Sequence, residues 1–312
     1  MAFTAAELKT RRIGVLMGGL SSEREVSLRT GKACADALEE KGYVITRIDV
    51  QRDVARRLDD ARVDLAFIAL HGRWGEDGCI QGLLESMFIP YTGSGVLASA
   101  VGMDKVFAKQ VFAAHGLKTA PYRVFESLEA LEKHGFEMPF ALPAVVKPSG
   151  EGSSVGVTIA RDAKALRAAA LQASTLKGAI LVEQYIKGRE IQAAVLDDEA
   201  LGAIEVVPAS EFYDYNAKYQ AGTTKYLFPA PIPADRALAV CEMALSAHRA
   251  LGCAGATRSD LILEPEGAIW LLEINTLPGM TSTSLLPKIA AGKGIDFPTL
   301  CERLLMGAAL KG

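Results

Sequence analysis

The chain has 312 residues, half of them hydrophobic and 23% charged, with a formal net charge of −3. That composition supports two or three lobes with cores of their own, and it lacks the basic excess that would point to nucleic acid. No apolar run approaches a membrane span and Met1–Arg12 has no secretory stretch, so a cytoplasmic setting is expected, with Cys34, Cys79, Cys241, Cys253 and Cys301 as reduced thiols.

In chain order, Ile13–Met17 reads as a buried strand, followed by a glycine turn and a helix through Ala33 to Leu38. Val44–Ile48 and Leu65–Leu70 are further strands. This β-α-β rhythm predicts a parallel sheet with covering helices, placed in a first lobe over residues 1–102. A second lobe, 103–186, is expected from a helix that starts near Met103-Asp104-Lys105 and runs to His115. Strands at Tyr122–Phe125, Ala144–Lys147, Val157–Ile159 and Ile180–Glu183 follow it. A third lobe occupies 187–312. Within it Pro208–Pro233 has no sustained period, and a loop that long in a compact protein is usually functional or disordered. Two apolar runs, Thr257–Leu263 and Ile269–Asn275, flank Glu264-Pro265-Glu266-Gly267 and predict a β-hairpin.

Four constellations carry chemistry. In the hairpin, Asp260 lies in the first strand, and Glu273 and Asn275 share one face of the second. Two carboxylates and an amide are hard oxygen donors that suit Mg²⁺, which usually also binds phosphate oxygens; a solvated polar face would account for them equally well. Beyond the hairpin, the amide of Gly279 and the hydroxyl of Ser284 could hold a carboxylate or a developing oxyanion, and Arg258 offers a charged fork for the same purpose; a polar loop leading to the last helices is the alternative. In Lys147-Pro148-Ser149-Gly150-Glu151-Gly152-Ser153-Ser154-Val155-Gly156, glycines admit phosphate oxygens to the backbone amides and Lys147 adds charge. The lysine precedes the glycines, so this is no Walker A loop, and a plain hairpin turn is its alternative.

His71-Gly72-Arg73-Trp74-Gly75-Glu76-Asp77-Gly78 sits beyond the carboxyl end of a strand, where open α/β sheets bind ligands. His71 could meet a substrate there, or be a packed histidine, while Glu76 and Asp77 start the next helix. After the first strand, Ser22 and Glu25 have capping-box spacing, and Glu23 is left to face a ligand's ammonium group. The three-glycine dinucleotide fingerprint is missing, which makes a nicotinamide site improbable. Physical reading alone stops at Mg·ATP and activation of a carboxylate.

In this order the four segments resemble the D-alanine–D-alanine ligases of the ATP-grasp superfamily over essentially the whole chain. The two segments that carry the resemblance are His71-Gly-x-x-Gly75-Glu-Asp-Gly78 and Arg258-x-Asp260…Glu273-x-Asn275-x-x-Pro278-Gly279. It implies a three-lobed ATP-grasp fold of class α/β, in which an N-terminal parallel-sheet domain precedes two α+β lobes that enclose ATP. By position, Lys105 and Lys147 match the nucleotide-phosphate lysines, Ser154 the flap over the phosphates, Glu183 through Ile186 the adenine hinge and Glu190 the ribose carboxylate. Asp260, Glu273 and Asn275 match the ligands of two Mg²⁺ ions, for which Mn²⁺ could substitute; a K⁺ requirement, seen in some relatives, is left open. Glu23 matches the group for the first D-alanine ammonium, with His71 nearby. Ser153 and Tyr219 match its hydrogen-bonded partners when a lid over about 208–233 closes, and Lys218 stands beside Tyr219. Arg258 and Gly279 match the oxyanion pair, Ser284 and Leu285 the second substrate's segment.

The resemblance further implies formation of a D-alanyl phosphate and attack on it by a second D-alanine, for peptidoglycan precursor synthesis. A homodimer with no nucleic-acid or membrane partner is expected. Tyr219 with Lys218 looks like the dipeptide-forming type and not the D-lactate-using one. The single departure is Ser259, where the family carries an aliphatic residue; by strand alternation it should point away from Asp260 and affect packing. A carboxylate kinase, an ATP-grasp ligase with another amine acceptor, or a non-catalytic nucleotide-binding protein are the rival readings.

Overall fold

A computed structural model describes residues 3–152, 155–208, 224–281 and 284–311. The chain is α/β. Its first sheet is parallel, in the order β2 (Val44–Val50), β1 (Arg12–Gly18), β3 (Leu65–Ile68). Every residue of β1 after Arg12 is buried, as a strand covered on both faces requires. The C-terminal end of the chain returns to this sheet: Tyr91 bridges Ala66 in parallel and Ala309 in antiparallel fashion.

The second sheet has the order β4 (Tyr122–Phe125), β7 (Ile180–Gln184), β5 (Ala144–Pro148), β6 (Thr158–Ala160), and the third β10 (Thr224–Leu227), β9 (Glu199–Pro208), β8 (Arg189–Leu196), β11 (Ala256–Leu263), β12 (Ile269–Asn275). Both are antiparallel throughout. The second sheet keeps its own core around Val146, Ala170 and Val182. The first and third each have one too, around Leu16, Ile68 and Leu84 and around Ile191, Val240 and Leu271, and they also share a core in which Ile13, Val15 and Phe67 cluster with Leu196, Ile204, Leu286 and Leu304. That shared core fixes the loops of the first sheet over the hairpin of the third. The helix Lys105–Ala114 is capped by Asp104, whose Oδ1 accepts from the Val106 and Phe107 amides at 2.9 and 3.2 Å. Its Ala108 and Phe112 pack with Ile191, Val240 and Leu271 of the third sheet and its covering helix. Among the described residues no helix is long and apolar enough to cross a membrane.

Two expectations are corrected. The helix Arg24–Glu40 begins with Glu23 at its N-cap and has no side-chain cap, so Ser22 and Glu25 form no capping box; Ser21 Oγ instead accepts from the Glu23 amide at 3.2 Å. The stretch Pro208–Pro233 is not loop throughout, because Thr224–Leu227 pairs with β9 as the sheet's edge strand. Four residues are too few for alternation to stand out. Lys218 and Tyr219, with Ser153 and Ser154, lie outside the described residues.

Ser259 does face away from Asp260. It is 1% exposed, between Ala193 and Ile274 on the neighbouring strands, and its hydroxyl has no hydrogen-bond partner among the described residues. An unsatisfied buried hydroxyl costs free energy, so Ser259→Ala is expected to raise stability by about 1 kcal/mol in urea unfolding. A loss of similar size would mean that the hydroxyl is satisfied after all.

Candidate active site

Between the second and third sheets lies a cavity of about 390 Å³. Lys147, Glu183, Ile186, Glu190, Asp260 and Glu273 all line it, contributed by the neighbouring strands β5 and β7 with the segment after β7 on one side and by β8, β11 and β12 on the other. Glu183 is buried and lies between two ammonium groups, with Lys147 Nζ 2.6 Å from one oxygen and Lys109 Nζ 2.6 Å from the other. Burial pushes the Glu183 carboxyl up, but Lys147 and Lys109 outweigh it and hold it below its ordinary range. Sequence reading missed Lys109. Its signal was there, since it lies four residues after Lys105 on the helical face that also presents Ala108 and Phe112.

The hairpin register sets Asp260 opposite Glu273 and Arg258 opposite Asn275, which brings the two carboxylates to adjacent strands at one level. Arg258 forks onto Asp260, Nε to Oδ1 at 2.7 Å and Nη2 to Oδ2 at 3.1 Å. Asn275 Oδ1 accepts from the Leu277 amide at 2.9 Å and keeps a second lone pair. Lys105 Nζ lies 3.7 Å from Glu273 Oε2 and donates to Glu151 O at 2.6 Å. Among the described residues no three His, Cys, Asp or Glu side chains gather in a metal-ligating group. Asp260, Glu273 and Asn275 offer two carboxylates and an amide oxygen, few and hard, a set that would fit Mg²⁺ completed by water and phosphate oxygens.

A second cavity, about 1200 Å³, opens between the loops of the first sheet and the hairpin, and Glu23, His71, Arg258, Gly279, Ser284 and Leu285 line it. Lys105, Glu151 and Glu273 line both cavities and form their junction. His71 is buried, its Nε2 2.9 Å from Thr30 Oγ1 and its Nδ1 3.1 Å from Glu76 Oε1. Here the reading of Glu76 as a helix starter fails. The helix Cys79–Ser86 is entered through Gly78 at φ 87 without a side-chain cap, and Glu76 turns inward to fix the imidazole. Burial raises the Glu76 carboxyl, and the His71 hydrogen bond only partly offsets it.

Glu23 reaches this cavity by passing over Gly72. A Cβ on Gly72 would lie 2.6 Å from Glu23 Oε2, and the residue's φ of +68 disfavours any side chain. Gly72→Ala is accordingly expected to displace the carboxylate and to raise KM for a substrate whose ammonium group would meet it by about tenfold or more, measured in steady-state kinetics. An unchanged KM would remove Glu23 from the site. At the other end, Ser284 is the N-cap of the helix Leu285–Gly292 but does not cap it. Its Oγ accepts from the Thr281 amide at 3.1 Å and contacts Thr281 Oγ1 at 2.9 Å. Among the described residues no side chain caps this helix, which leaves its N-terminal amides to an outside acceptor such as a carboxylate. Gly279 allows this packing, since a Cβ there would lie 2.9 Å from Ser284 Oγ.

Known proteins resemble this chain over nearly its whole length. Family models described as D-ala D-ala ligase N-terminus and D-ala D-ala ligase C-terminus match residues 52–94 and 111–306. A D-alanine–D-alanine ligase of Anaeromyxobacter sp. (strain Fw109-5) is 59% identical over 301 residues, 96% of this chain and 98% of that one. The crystal structure of the D-alanine–D-alanine ligase from Bacillus anthracis complexed with ATP superposes with a TM-score of 0.83 at 35% identity, covering 95% of this chain and 96% of that one. The VanG D-Ala:D-Ser ligase from Enterococcus faecalis gives 0.81 at 30% identity, with 94% and 98% covered. By these matches the chain belongs to the D-alanine–D-alanine ligase family.

Proposed function

We infer that the protein is an ATP-dependent ligase that joins two D-alanine molecules to D-alanyl-D-alanine, a peptidoglycan precursor. The observation that carries the reading is the junction at Lys105 and Glu273, where a cavity suited to a nucleotide meets one suited to amino acids. In the smaller cavity ATP would take its adenine against Glu183 and Ile186, its ribose against Glu190 and its phosphates toward Lys147 and Lys105. Asp260, Glu273 and Asn275 would hold two Mg²⁺ ions, which when bound neutralise charge on the phosphate oxygens.

In the larger cavity Glu23 holds the first D-alanine by its ammonium group. Its carboxylate oxygen then attacks the γ-phosphorus, the bond to the ADP oxygen breaks, and a D-alanyl phosphate results. The second D-alanine, its carboxylate at Ser284 and the N-terminus of the helix Leu285–Gly292, attacks the carbonyl carbon through its free amine. Phosphate leaves with its electron pair and the amine gives up a proton. Negative charge on the carbonyl oxygen is met by Arg258 and the Gly279 amide. An acyl phosphate is lost to water, so closure by Lys218, Tyr219 and the flap serines Ser153 and Ser154 belongs to the same reading. We further propose three units at 1–102, 103–186 and 187–312, a homodimer and a cytoplasmic setting.

The test is ADP release from Mg·ATP with D-alanine, L-alanine, or D-alanine plus D-lactate, with products identified by mass. Turnover with D-alanine that yields the dipeptide is expected. ADP release without dipeptide would keep the nucleotide chemistry and overturn the substrate; no release with any acid would overturn both.

A further inference from the structure

Lys109 takes no part in the mechanism above, yet it is one of the most deeply buried ionisable groups in the molecule. It is 1% exposed, and its ammonium lies 2.6 Å from Glu183 Oε1, 3.4 Å from the Ala120 carbonyl and 5.1 Å from the centre of the Tyr122 ring. Glu183 and Lys147 line the nucleotide cavity and Lys109 does not, so whatever Lys109 does to a ligand it does through Glu183.

Charge counting says what that is. Glu183 and Lys147 alone would make a neutral buried pair at 2.6 Å, in which the lysine's field is largely cancelled by its own partner. A second ammonium on the far oxygen makes two positive charges to one negative, a net charge of +1 in a buried cluster. An excess charge in such a place is costly unless an anion is drawn to it. Burial itself works against a charged Lys109, and the Glu183 carboxylate opposes that. The helix Lys105–Ala114 supplies the arrangement in one turn: Lys105 at the junction of the cavities, Lys109 beneath the Glu183 carboxylate.

We propose that Lys109 is a positioning residue for the nucleotide: by neutralising Glu183 from behind, it leaves the charge of Lys147 for the phosphates. The proposal rests on the ATP reading above, and parental ATP binding tests that reading separately. The probes are ATP, adenosine and inorganic tripolyphosphate, the first titrated for KM and kcat and the other two as competitors. In Lys109→Met the KM for ATP and the inhibition constant of tripolyphosphate should both rise about tenfold, while adenosine inhibition and kcat each change by less than about threefold. Lys109→Arg, which keeps the charge, should stay within about threefold of the parent for all probes. The double variant Lys109→Met/Glu183→Gln restores a net positive charge and should recover tripolyphosphate affinity, even though adenine recognition changes. Two results would overturn the proposal: unchanged ATP and tripolyphosphate constants in Lys109→Met, or equal weakening of adenosine and tripolyphosphate. If Lys109→Met does not fold, the double variant decides, and tripolyphosphate affinity more than about tenfold below the parent there would refute the idea.

Discussion

Asp260→Asn and Glu273→Gln are each expected to lower kcat by on the order of 10³-fold, the effect of losing several kcal/mol of charge stabilisation at the phosphoryl group. The two should differ in what else they disturb. Glu273 is partly exposed, its side chain at 33%, and an amide there keeps the shape and one oxygen donor. Its variant should unfold at the parental urea midpoint. Asp260 is buried and holds the Arg258 fork through both oxygens, so Asp260→Asn also removes a two-point charged partner from that guanidinium. That variant should lose stability as well as turnover. ADP release at increasing Mg²⁺, read beside urea unfolding, checks both statements. Parental kcat in either variant would remove that carboxylate from the metal site, and a stable Asp260→Asn would mean that Arg258 is held by other partners.

The contrast shows where sequence was sufficient and where it was not. The hairpin was legible because alternation and a glycine-ended turn are local signals, and they bring Asp260 and Glu273 to the same place. The register shift after Asp260 was not, since nothing in the apolar run Ile269–Ile274 marks the residue that bulges. His71 was found as a residue beyond a strand end. Its partner Glu76 was misread, because a carboxylate just ahead of a helix has two uses and only the path through Gly72 and Gly78 decides between them. Contacts between distant segments carried no local signal at all. The core shared by Ile13 and Leu304, and the pairing of Tyr91 with Ala309, emerge only when the lobes are assembled. Composition and spacing led to a magnesium nucleotide and a carboxylate; family resemblance supplied D-alanine.

Glu183→Gln is expected to cost about 3–5 kcal/mol of stability at neutral pH, the penalty of stripping a buried cation of its partner. Lys109 and Lys147 are 1% and 6% exposed and would face each other across a neutral amide. The sign of the pH dependence follows from the shifts. The folded-state pKa of Glu183 lies below its ordinary value of 4.5, so the stability it contributes is full above that pH and is lost as the pH falls through the folded value. The variant's stability should therefore fall less steeply in acid than the parent's. For Lys109 the folded-state pKa is depressed, burial being the main cause, and without Glu183 it drops further. A lysine that is neutral in the folded state but protonated when unfolded disfavours folding below its ordinary pKa of 10.5 and ceases to do so above it. The deficit of Glu183→Gln should thus shrink as the pH is raised from 7 toward 10. Adding Lys109→Met should recover more than half of it by removing one of the stranded charges. Urea unfolding of the parent, Glu183→Gln and the double variant at pH 7 and pH 9.5 measures both effects. A deficit independent of pH, or a double variant no more stable than Glu183→Gln, would mean that the lysines escape to water when their carboxylate is removed, and that the cluster is held by packing and not by its charges.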